Sequence, residues 1–446
     1  MHILILGAGV IGVSTAYELL KDGHDVTIID RQSAPAMETS FKNGGLIAPG
    51  HSFALSGEKI PFSSFFSKNQ KNSSFRFKFQ WDLDFWKWGI QFLKHLRSGK
   101  SQNLTLKKCE FCLYSQRIYH KTLKETGISI KHSKTGLIYF FRTEDSLEKA
   151  IINSEFLQQI SNSYKNLNGD ELISLEPALG PIKNEIAGGI YCTTDESVDC
   201  KKFVDELMND MYGKIECHFN TTIQKIISDS EKVRRVITDR GEFEADAYIL
   251  CLASYSPFYA KQVGNELPIY PIKGYSVTVP IKDEKNVPVI GGIDEDNHLA
   301  FSRIGNNVRF TSIAEIAGFD LSHELSDFHY LIEKGKSLFP SVLDWQKADY
   351  WAGLRPMTTN GLPVLGKGKM DNLFYNTGHG QLGWTMACGS ARITADLVAD
   401  RIPEIDILLK DDEEWTFGNL TVKILHIPGH TLGHICFFFE KEKIAF

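Results

Sequence analysis

The chain has 446 residues, of which 42% are apolar and 23% are charged, and its formal net charge is -6. This length allows a large buried core and exceeds that of one simple domain, so roughly two or three domains are expected. The sequence has no long run of lysine or arginine, which argues against nucleic acid as a partner. It also has no window of about 18 uninterrupted apolar residues, so no membrane-spanning helix is predicted. The opening MHILILGAGVIG lacks a basic stretch before its apolar run and is not predicted to be a signal peptide.

The eight cysteines are scattered along the chain and do not form the framework of a disulfide-rich protein. We therefore expect reduced cysteines and an intracellular protein. Cys109 and Cys112 form a CxxC within a helical stretch that has no second pair. We interpret them as ordinary helix residues, and no metal site is predicted.

The first elements follow a βαβ pattern. Residues 2–6 (HILIL) predict a buried strand, residues 7–12 a glycine-rich turn, residues 10–22 a helix and residues 25–30 a second strand. Such an opening predicts a parallel sheet in an α/β fold.

Residues 51–135 are rich in phenylalanine, tryptophan, serine and lysine, and their patterns are mainly helical. The stretch WDLDFWKWGIQFL (residues 81–93) contains three tryptophans. An aromatic stripe at helical spacing indicates a core-facing helix, and an amphipathic surface that faces a membrane is the alternative.

The rest of the chain alternates between strands and helices. Further strands are predicted over residues 136–141, 214–220, 221–229, 232–239, 246–253, 269–281, 298–304 and 307–313. Further helices are predicted over residues 145–161, 201–212, 324–338 and 384–400, with a turn-rich segment before the last one. The chain is thus expected to leave its α/β domain, build a separate antiparallel sheet and return, and its pattern changes near residue 406.

The first glycine turn has the sequence Gly7-Ala8-Gly9-Val10-Ile11-Gly12, which matches GxGxxG. It follows a strand, opens a helix and is followed by Asp30 at the end of the next strand, which is the context of a dinucleotide site. The helix N-terminus can bind a pyrophosphate, and Asp30 can accept hydrogen bonds from the adenosine ribose.

A second glycine-rich turn, NTGHGQLGWT (residues 376–385), precedes the last helix. A second helix N-terminus suits a flavin ring, which carries negative charge when reduced. A loop of small polar residues that ends in Asn43-Gly44-Gly45 can run beside the same flat ligand. Together these turns favour FAD over NAD.

Several longer motifs identify a family. ILGAGVIGVSTAYEL, TSFKNGGLIAPG, YPIKGYS, WAGLRPMTTNGLPVLG and GHGQLGWTMACGS occur in this order. From residue 1 to about 406 the sequence resembles the small subunit of the D-amino-acid dehydrogenases, within the wider group of glycine, sarcosine and D-amino-acid oxidases. One departure is Ala253 in CLASYSP, where that family usually has glycine.

The resemblance implies a Rossmann-like FAD-binding domain of discontinuous segments and a mixed α+β substrate domain. The FAD domain is expected over residues 1–80, 166–265 and 346–406, and the substrate domain over residues 81–165 and 266–345.

The resemblance also implies oxidative deamination of D-amino acids, D-alanine preferred, to 2-oxo acids and ammonia. The α-hydrogen would pass as a hydride to flavin N5, and the electrons to a quinone or respiratory acceptor. The protein would be cytoplasmic, attached peripherally to the inner membrane. An oxygen-using oxidase of glycine or sarcosine is the alternative.

Arg355 matches the arginine that holds the substrate carboxylate in related oxidases, and a guanidinium suits that role. Lys273 and Tyr275 are candidates for contact with the flavin or the substrate. His379 is either a structural hydrogen-bonding residue or a catalytic one. The residues predicted to bind FAD are Ile3, Leu4, Ile5, Leu6, Gly7, Ala8, Gly9, Val10, Ile11, Gly12, Val13, Asp30, Arg31, Ser40, Asn43, Gly44, Gly45, Leu46, Gly378, His379, Gly380, Gly383, Trp384 and Thr385.

Residues 407–446 form a tail of different character. WTFGNLTVKILHIPGHTLGHICFFF (residues 415–439) resembles part of the metallo-β-lactamase-like hydroxyacylglutathione hydrolases. In those enzymes the histidine that matches His430 is a metal ligand, but the HxHxDH motif that supplies further ligands does not occur in this sequence. We therefore predict a partial, non-functional fragment without a metal.

Overall fold

The computed structural model describes residues 1–53, 73–79, 81–97, 101–130, 135–155, 157–161, 163–403, 414–417, 420–426, 435–439 and 444–445. Its helices are α1 (Val10–Lys21), α2 (Leu83–Arg97), α3 (Ser101–Thr126), α4 (Glu144–Glu155), α5 (Gly169–Leu175), α6 (Cys200–Asp210), α7 (Ser256–Gln262), α8 (His329–Leu338) and α9 (Gly383–Val398).

The strands of the first half are β1 (His2–Leu6), β2 (Asp25–Ile29), β3 (Leu46–Ile47), β4 (Phe75–Phe77), β5 (Leu137–Phe141), β6 (Tyr164–Asn168), β7 (Gly188–Cys192), β8 (Glu196–Ser197), β9 (Glu216–His218), β10 (Ile223–Ser228), β11 (Val233–Thr238) and β12 (Gly241–Phe243). The remaining strands are β13 (Ala247–Leu250), β14 (Ile269–Pro280), β15 (Gly291–Asp294), β16 (Leu299–Ile304), β17 (Asn307–Ile316), β18 (Asp349–Thr358), β19 (Val364–Lys367), β20 (Leu373–Thr377), β21 (Glu414–Phe417), β22 (Leu420–His426), β23 (Ile435–Phe439) and β24 (Ile444–Ala445).

A six-stranded sheet carries the first glycine turn. Its order is β19-β20-β13-β1-β2-β9, and β1 pairs in parallel with both β2 and β13. The predicted βαβ opening is therefore confirmed. The side chains of β1 are buried on both faces of the sheet. Helices α1 and α9 cover one face, and apolar residues that include those of β10 and β11 cover the other.

The larger sheet has nine strands in the order β18-β14-β17-β16-β15-β5-β7-β6, with β4 beside β17. It is mixed, because β15 pairs in parallel with β5 and β17 with β4. The middle strands β14 to β17 pair antiparallel with one another as predicted, whereas the parallel pairs with β4 and β5 were not predicted. Strands β10 to β12 form a separate antiparallel sheet of three.

The turn-rich segment predicted before the last helix contains three strands, β18 to β20. Strand β18 pairs with β14 over ten residues, from Asp349 to Thr358. Glycine and proline at Gly353, Pro356 and Gly361 suggested turns, but pairing with a long neighbouring strand outweighs local preference. The prediction for this segment is wrong.

Sheet membership also differs from the expected division of the chain. Strands β4, β7 and β18 join the larger sheet, whereas their residues were assigned to the FAD domain. Sequence separation does not indicate which sheet a strand joins, so these boundaries stay predictions.

Helix α2 has two unlike faces. Phe85, Trp88 and Phe92 are buried against Tyr270 and its neighbours, as the core interpretation predicts. The opposite face leaves Trp86 exposed, along with other large apolar side chains. None of the helices in the described ranges is long and apolar enough to cross a bilayer.

The CxxC lies inside α3, where Cys109 and Cys112 are buried free thiols. Burial raises the pKa of Cys109 to about 11, so its thiol stays protonated at neutral pH. In the tail, β21 to β24 form a four-stranded antiparallel sheet. His430 and His434 lie outside the described residues.

Ala253, where the related family has glycine, adopts φ of 49°. This is the left-handed region, which costs an L-residue about 1–2 kcal/mol. Ala253 follows β13 and lies beside the second glycine-rich turn, since its carbonyl accepts a hydrogen bond from Thr377 at 3.2 Å.

The Ala253→Gly variant is expected to be more stable than the parent by about 0.5–1 kcal/mol, because relief of strain exceeds the added entropy of the unfolded chain. Urea unfolding of the purified protein measures this. Ala260→Gly in α7, where the backbone is helical, is the matched control and should lose about 1 kcal/mol. If both variants lost stability equally, Ala253 would not be strained.

Candidate functional site

The first glycine turn is fixed by close backbone packing. Gly7 has φ of 108°. A Cβ there would lie 2.7 Å from the carbonyl oxygen of Cys251, the residue that directly follows β13. A Cβ at Gly12 would lie 1.9 Å from the Gly7 carbonyl oxygen. Only glycine fits at both positions, and the absence of side chains leaves the N-terminus of α1 open to a ligand.

The N-terminus of α1 is suited to bind an anion. Its N-cap residue, Gly9, has no capping side chain, and the first turn contains no acidic residue. Ser40 Oγ accepts a hydrogen bond from Val10 N at 3.0 Å, which joins the 39–46 loop to this turn. Free backbone N–H groups and the helix dipole favour a phosphate here.

Asp30 lies at the end of β2, as predicted, and supports the glycine turn. Its carboxylate accepts hydrogen bonds from Ala8 N at 2.6 Å and Gln32 N at 2.8 Å. Burial raises its pKa. Sequence reasoning assigned Asp30 to a ribose and missed this second role, in which the carboxylate fixes the turn that receives the cofactor.

The second glycine turn faces the 39–46 loop. His379 within it is buried, and burial lowers its pKa to about 3, so the imidazole is neutral. Among the described residues its Nε2 has no hydrogen-bond partner. An orphaned polar atom beside a cavity indicates a site for a polar ligand group. Thr385, at the start of α9, accepts a hydrogen bond from Ala48 N at 3.1 Å and so links the two segments.

A cavity of about 470 Å³ lies between these turns and the larger sheet. This volume is within the usual range of ligand pockets, roughly 300–1,000 Å³. Predicted cofactor residues that line it are Val10, Ile11, Ser40, Asn43, Gly44, Gly45, Leu46, Gly378, His379, Gly380, Gly383 and Trp384. Segments far apart in sequence therefore meet at one site.

Other predicted cofactor residues do not line this cavity. The strand residues Ile3, Leu4, Ile5 and Leu6 are fully buried in the core and hold the turn in place. Arg31 donates to Glu38 Oε1 at 2.6 Å and stacks 4.1 Å over the Tyr255 ring, outside the cavity. Val13 is a buried core residue of α1.

Arg355 extends from β18 into the cavity. Its Nη1 donates to the Ile313 carbonyl at 2.8 Å. Burial lowers its pKa to about 10, so it remains charged at neutral pH. Among the described residues, its hydrogen bonds go to the carbonyls of Ile313 and Ser312, and no carboxylate pairs with it. A partly buried cation whose hydrogen bonds go only to carbonyls is a site for an anionic ligand group.

Two residues that sequence reasoning missed position this guanidinium. Gly274 leaves space for it, because a Cβ there would lie 2.4 Å from Arg355 Cζ. Ile313 adopts φ of 64°, which is rare for a β-branched residue, and its carbonyl accepts from Arg355. Gly274 could have been noticed in the sequence, because a glycine within a predicted strand indicates close approach of another group. No sequence pattern marks Ile313.

The structure does not bring Lys273 together with Arg355. The Lys273 ammonium is fully buried outside the cavity and donates to the Ser322 carbonyl. Tyr275 borders the cavity, but its hydroxyl donates to Glu315 and its ring packs edge-on against Phe328 in the core. Lys273 thus lies outside the cavity, whereas Tyr275 borders it with its hydroxyl bound to Glu315, and the contact of either residue with flavin or substrate stays a prediction.

Comparison with known proteins agrees with this geometry. Residues 2–397 match the family described as FAD dependent oxidoreductase. The chain belongs to this family of flavoproteins. D-amino acid dehydrogenase 2 of Mesorhizobium japonicum is 38% identical over 408 residues, which are 91% of this chain and 98% of that protein. D-amino acid dehydrogenase of Agrobacterium fabrum is also 38% identical, over 91% of this chain and 97% of its own.

Solved structures show that the fold is shared. Glycine oxidase from Geobacillus kaustophilus superposes with a TM-score of 0.70 at 21% identity, over 91% of this chain and 96% of its own. L-proline dehydrogenase from P. horikoshii gives 0.69 at 15% identity, over 91% and 95%. The family match ends at residue 397, so the tail lies beyond it.

The residues present fit FAD. The open N-terminus of α1 matches its pyrophosphate, and the orphaned His379 Nε2 lies where the second turn meets the cavity. The flavoprotein identity and the cofactor predicted from the sequence are confirmed by the family match.

The Gly274→Ala variant is expected to bind an amino-acid carboxylate at least about tenfold more weakly while keeping its FAD. The added methyl group would displace the guanidinium, and charge-assisted hydrogen bonds are worth about 1.5–3 kcal/mol. The concentration dependence of flavin reduction measures the change, and flavin absorbance per chain measures cofactor retention.

Gly180→Ala is the matched control, because a Cβ at Gly180 meets no atom within 4 Å. This variant should behave as the parent does. Unchanged substrate affinity in Gly274→Ala would contradict the role assigned to Arg355.

Proposed function

We propose that this flavoprotein catalyses oxidative deamination of D-amino acids, with D-alanine preferred, and passes the electrons to a quinone or another respiratory acceptor. The observation that carries the proposal is the Arg355 guanidinium, which lies in the cavity without a carboxylate partner among the described residues. The names of the relatives at 36–38% identity support the same substrate class.

Arg355 would bind the substrate α-carboxylate. Its charge is retained at pH 7 because its pKa is lowered only to about 10. Carbonyls of the larger sheet hold two of its nitrogen atoms, at 2.8 Å from Ile313 and 3.5 Å from Ser312, so the group is already oriented before substrate arrives. Bound FAD would supply the electron acceptor for the hydrogen that leaves the α-carbon.

The remaining residues would position the two reactants and exclude water. The α1 N-terminus would hold the cofactor pyrophosphate, and Asp30 would hold both the glycine turn and the ribose. His379 is neutral, with a pKa near 3, so we assign it hydrogen bonding and not proton transfer at neutral pH. No general base is assigned.

Anaerobic mixing with D-alanine is expected to bleach the yellow flavin, and L-alanine should leave it unchanged. A stopped-flow record at the flavin absorption band measures this. In air, a dye or quinone should be reduced without steady hydrogen peroxide formation. Peroxide in step with substrate use would favour the oxygen-using amine oxidase, and failure of every D-amino acid to bleach the flavin would overturn the proposal.

We further propose peripheral contact with a membrane through the outer face of α2. The rings of Phe79 and Trp81 lie 5.1 Å apart, and Trp86 lies 6.2 Å from Phe79. Trp81 is 94% exposed and Ile90 is 55% exposed. Lys94, one turn beyond Ile90, is exposed as well. Exposed tryptophan, aliphatic side chains and lysine on one surface suit the interfacial region of an anionic bilayer.

The double variant Trp81→Ser, Trp86→Ser is expected to bind vesicles of phosphatidylethanolamine and phosphatidylglycerol at least about tenfold more weakly, a change of about 1.4 kcal/mol. Sedimentation of the holoprotein with vesicles measures it. Tyr212→Ser, which alters an aromatic side chain that is 88% exposed elsewhere, is the matched control and should bind as the parent does. Equal binding by the parent and the double variant would exclude this surface.

A further inference from the structure

The cavity contains a second polar centre, remote from the arginine. Glu295 follows β15 and is the one carboxylate among the described residues that line the cavity. Its Oε1 lies 3.0 Å from Nε2 of His51, which also lines the cavity. Within the described part of the chain, no other side chain bonds to the Glu295 carboxylate, so it can still accept hydrogen bonds from a ligand.

A rigid support holds this pair in place. The His51 ring stacks on the Tyr139 ring, with centroids 5.4 Å apart and planes 21° from parallel. The Tyr139 hydroxyl donates to Asp195, which is fully buried and also accepts from Gly50 N at 3.0 Å. The loop that carries His51 is thereby fastened to the larger sheet, as a preformed recognition site requires.

The sheet register relates this pair to Arg355. The guanidinium ends at the Ile313 carbonyl of β17. Thr311 of β17 pairs with Ala300 of β16, which pairs with Ile293 of β15, and all three residues line the cavity. Neighbouring strands lie about 4.8 Å apart, so the two polar centres are separated by two strand spacings, on the order of 10 Å.

This separation exceeds what D-alanine can fill. In an extended D-lysine the carboxylate carbon and the terminal nitrogen are about 7 Å apart. An ionic contact of about 3 Å at each end gives a maximum span of about 13 Å, so a partly folded D-lysine side chain matches the separation of the two polar centres. A D-amino acid of that length could place its carboxylate on Arg355 and its ammonium on Glu295.

We propose that Glu295, oriented by His51, selects the substrate side chain, and that the site takes D-amino acids with a terminal cationic group in preference to uncharged ones of equal length. D-lysine and D-ornithine are the class it fits. This inference rests on the proposed D-amino-acid oxidation and concerns the choice among long side chains, which the D-alanine preference leaves open.

The test compares D-lysine with D-norleucine, which has the same carbon skeleton without the ammonium group. Specificity constants of the purified holoenzyme are measured with a dye acceptor. The parent is expected to favour D-lysine by at least about tenfold, and Glu295→Gln should reduce that ratio by at least about tenfold. His51→Phe, which keeps a ring on Tyr139 but loses the nitrogen next to Glu295, should reduce the ratio in the same direction.

Glu266→Gln is the matched control, because Glu266 is an exposed acid that lies outside the cavity lining and 3.7 Å from Lys87. Its ratio should equal that of the parent. The inference is overturned if the parent oxidises D-norleucine as readily as D-lysine, or if Glu295→Gln keeps the parent ratio. Oxidation of D-alanine and D-norleucine without any preference for D-lysine would refute this inference alone, whereas a flavin that no D-amino acid bleaches would refute the proposed function as well.

Discussion

The structure depends on the close backbone packing where β1 passes into α1. The Gly7 carbonyl lies so near Gly12 that no side chain can stand between strand and helix. This contact directs the N-terminus of α1 toward the cavity, and the hydrogen bond from Ala8 N to Asp30 holds the turn in that position. The turn also lies at the centre of the six-stranded sheet, since β1 is the strand that pairs with both β2 and β13.

The substrate side of the cavity follows a different physical rule. A charged guanidinium lies in a partly buried site and, among the described residues, forms hydrogen bonds only to carbonyl oxygens. Such an arrangement is unfavourable without an anion, and binding of an anionic group would offset that free energy. The space for Arg355 exists because Gly274 has no side chain, and the strained backbone of Ile313 supplies the carbonyl. The strained backbone at Ile313 thus costs folding stability at the position that orients the guanidinium for a ligand.

Charge is distributed unevenly along the cavity. One end is positive at Arg355, the turn at His379 is neutral, and the far end carries the carboxylate of Glu295 beside His51. A zwitterionic or dipolar ligand would therefore be oriented along the sheet before any chemistry occurs. The inner face of α2 packs against the same sheet through Tyr270 of β14, while the opposite face carries the exposed aromatic side chains. The larger sheet thus supports both the cavity and the exposed surface of α2.

The sequence by itself determined the βαβ opening, the glycine turn, Asp30 and the flavin family, because these depend on local backbone geometry and on contiguous motifs. It did not reveal that β18 is a strand, since Gly353 and Pro356 have turn preferences that only pairing with β14 overrides. Tertiary structure alone decided that Lys273 lies outside the cavity, because the regular pairing of β14 with β18 fixes which of its side chains lie on the cavity side. It alone brought Glu295 beside His51, because long-range contacts have no local signature in the chain.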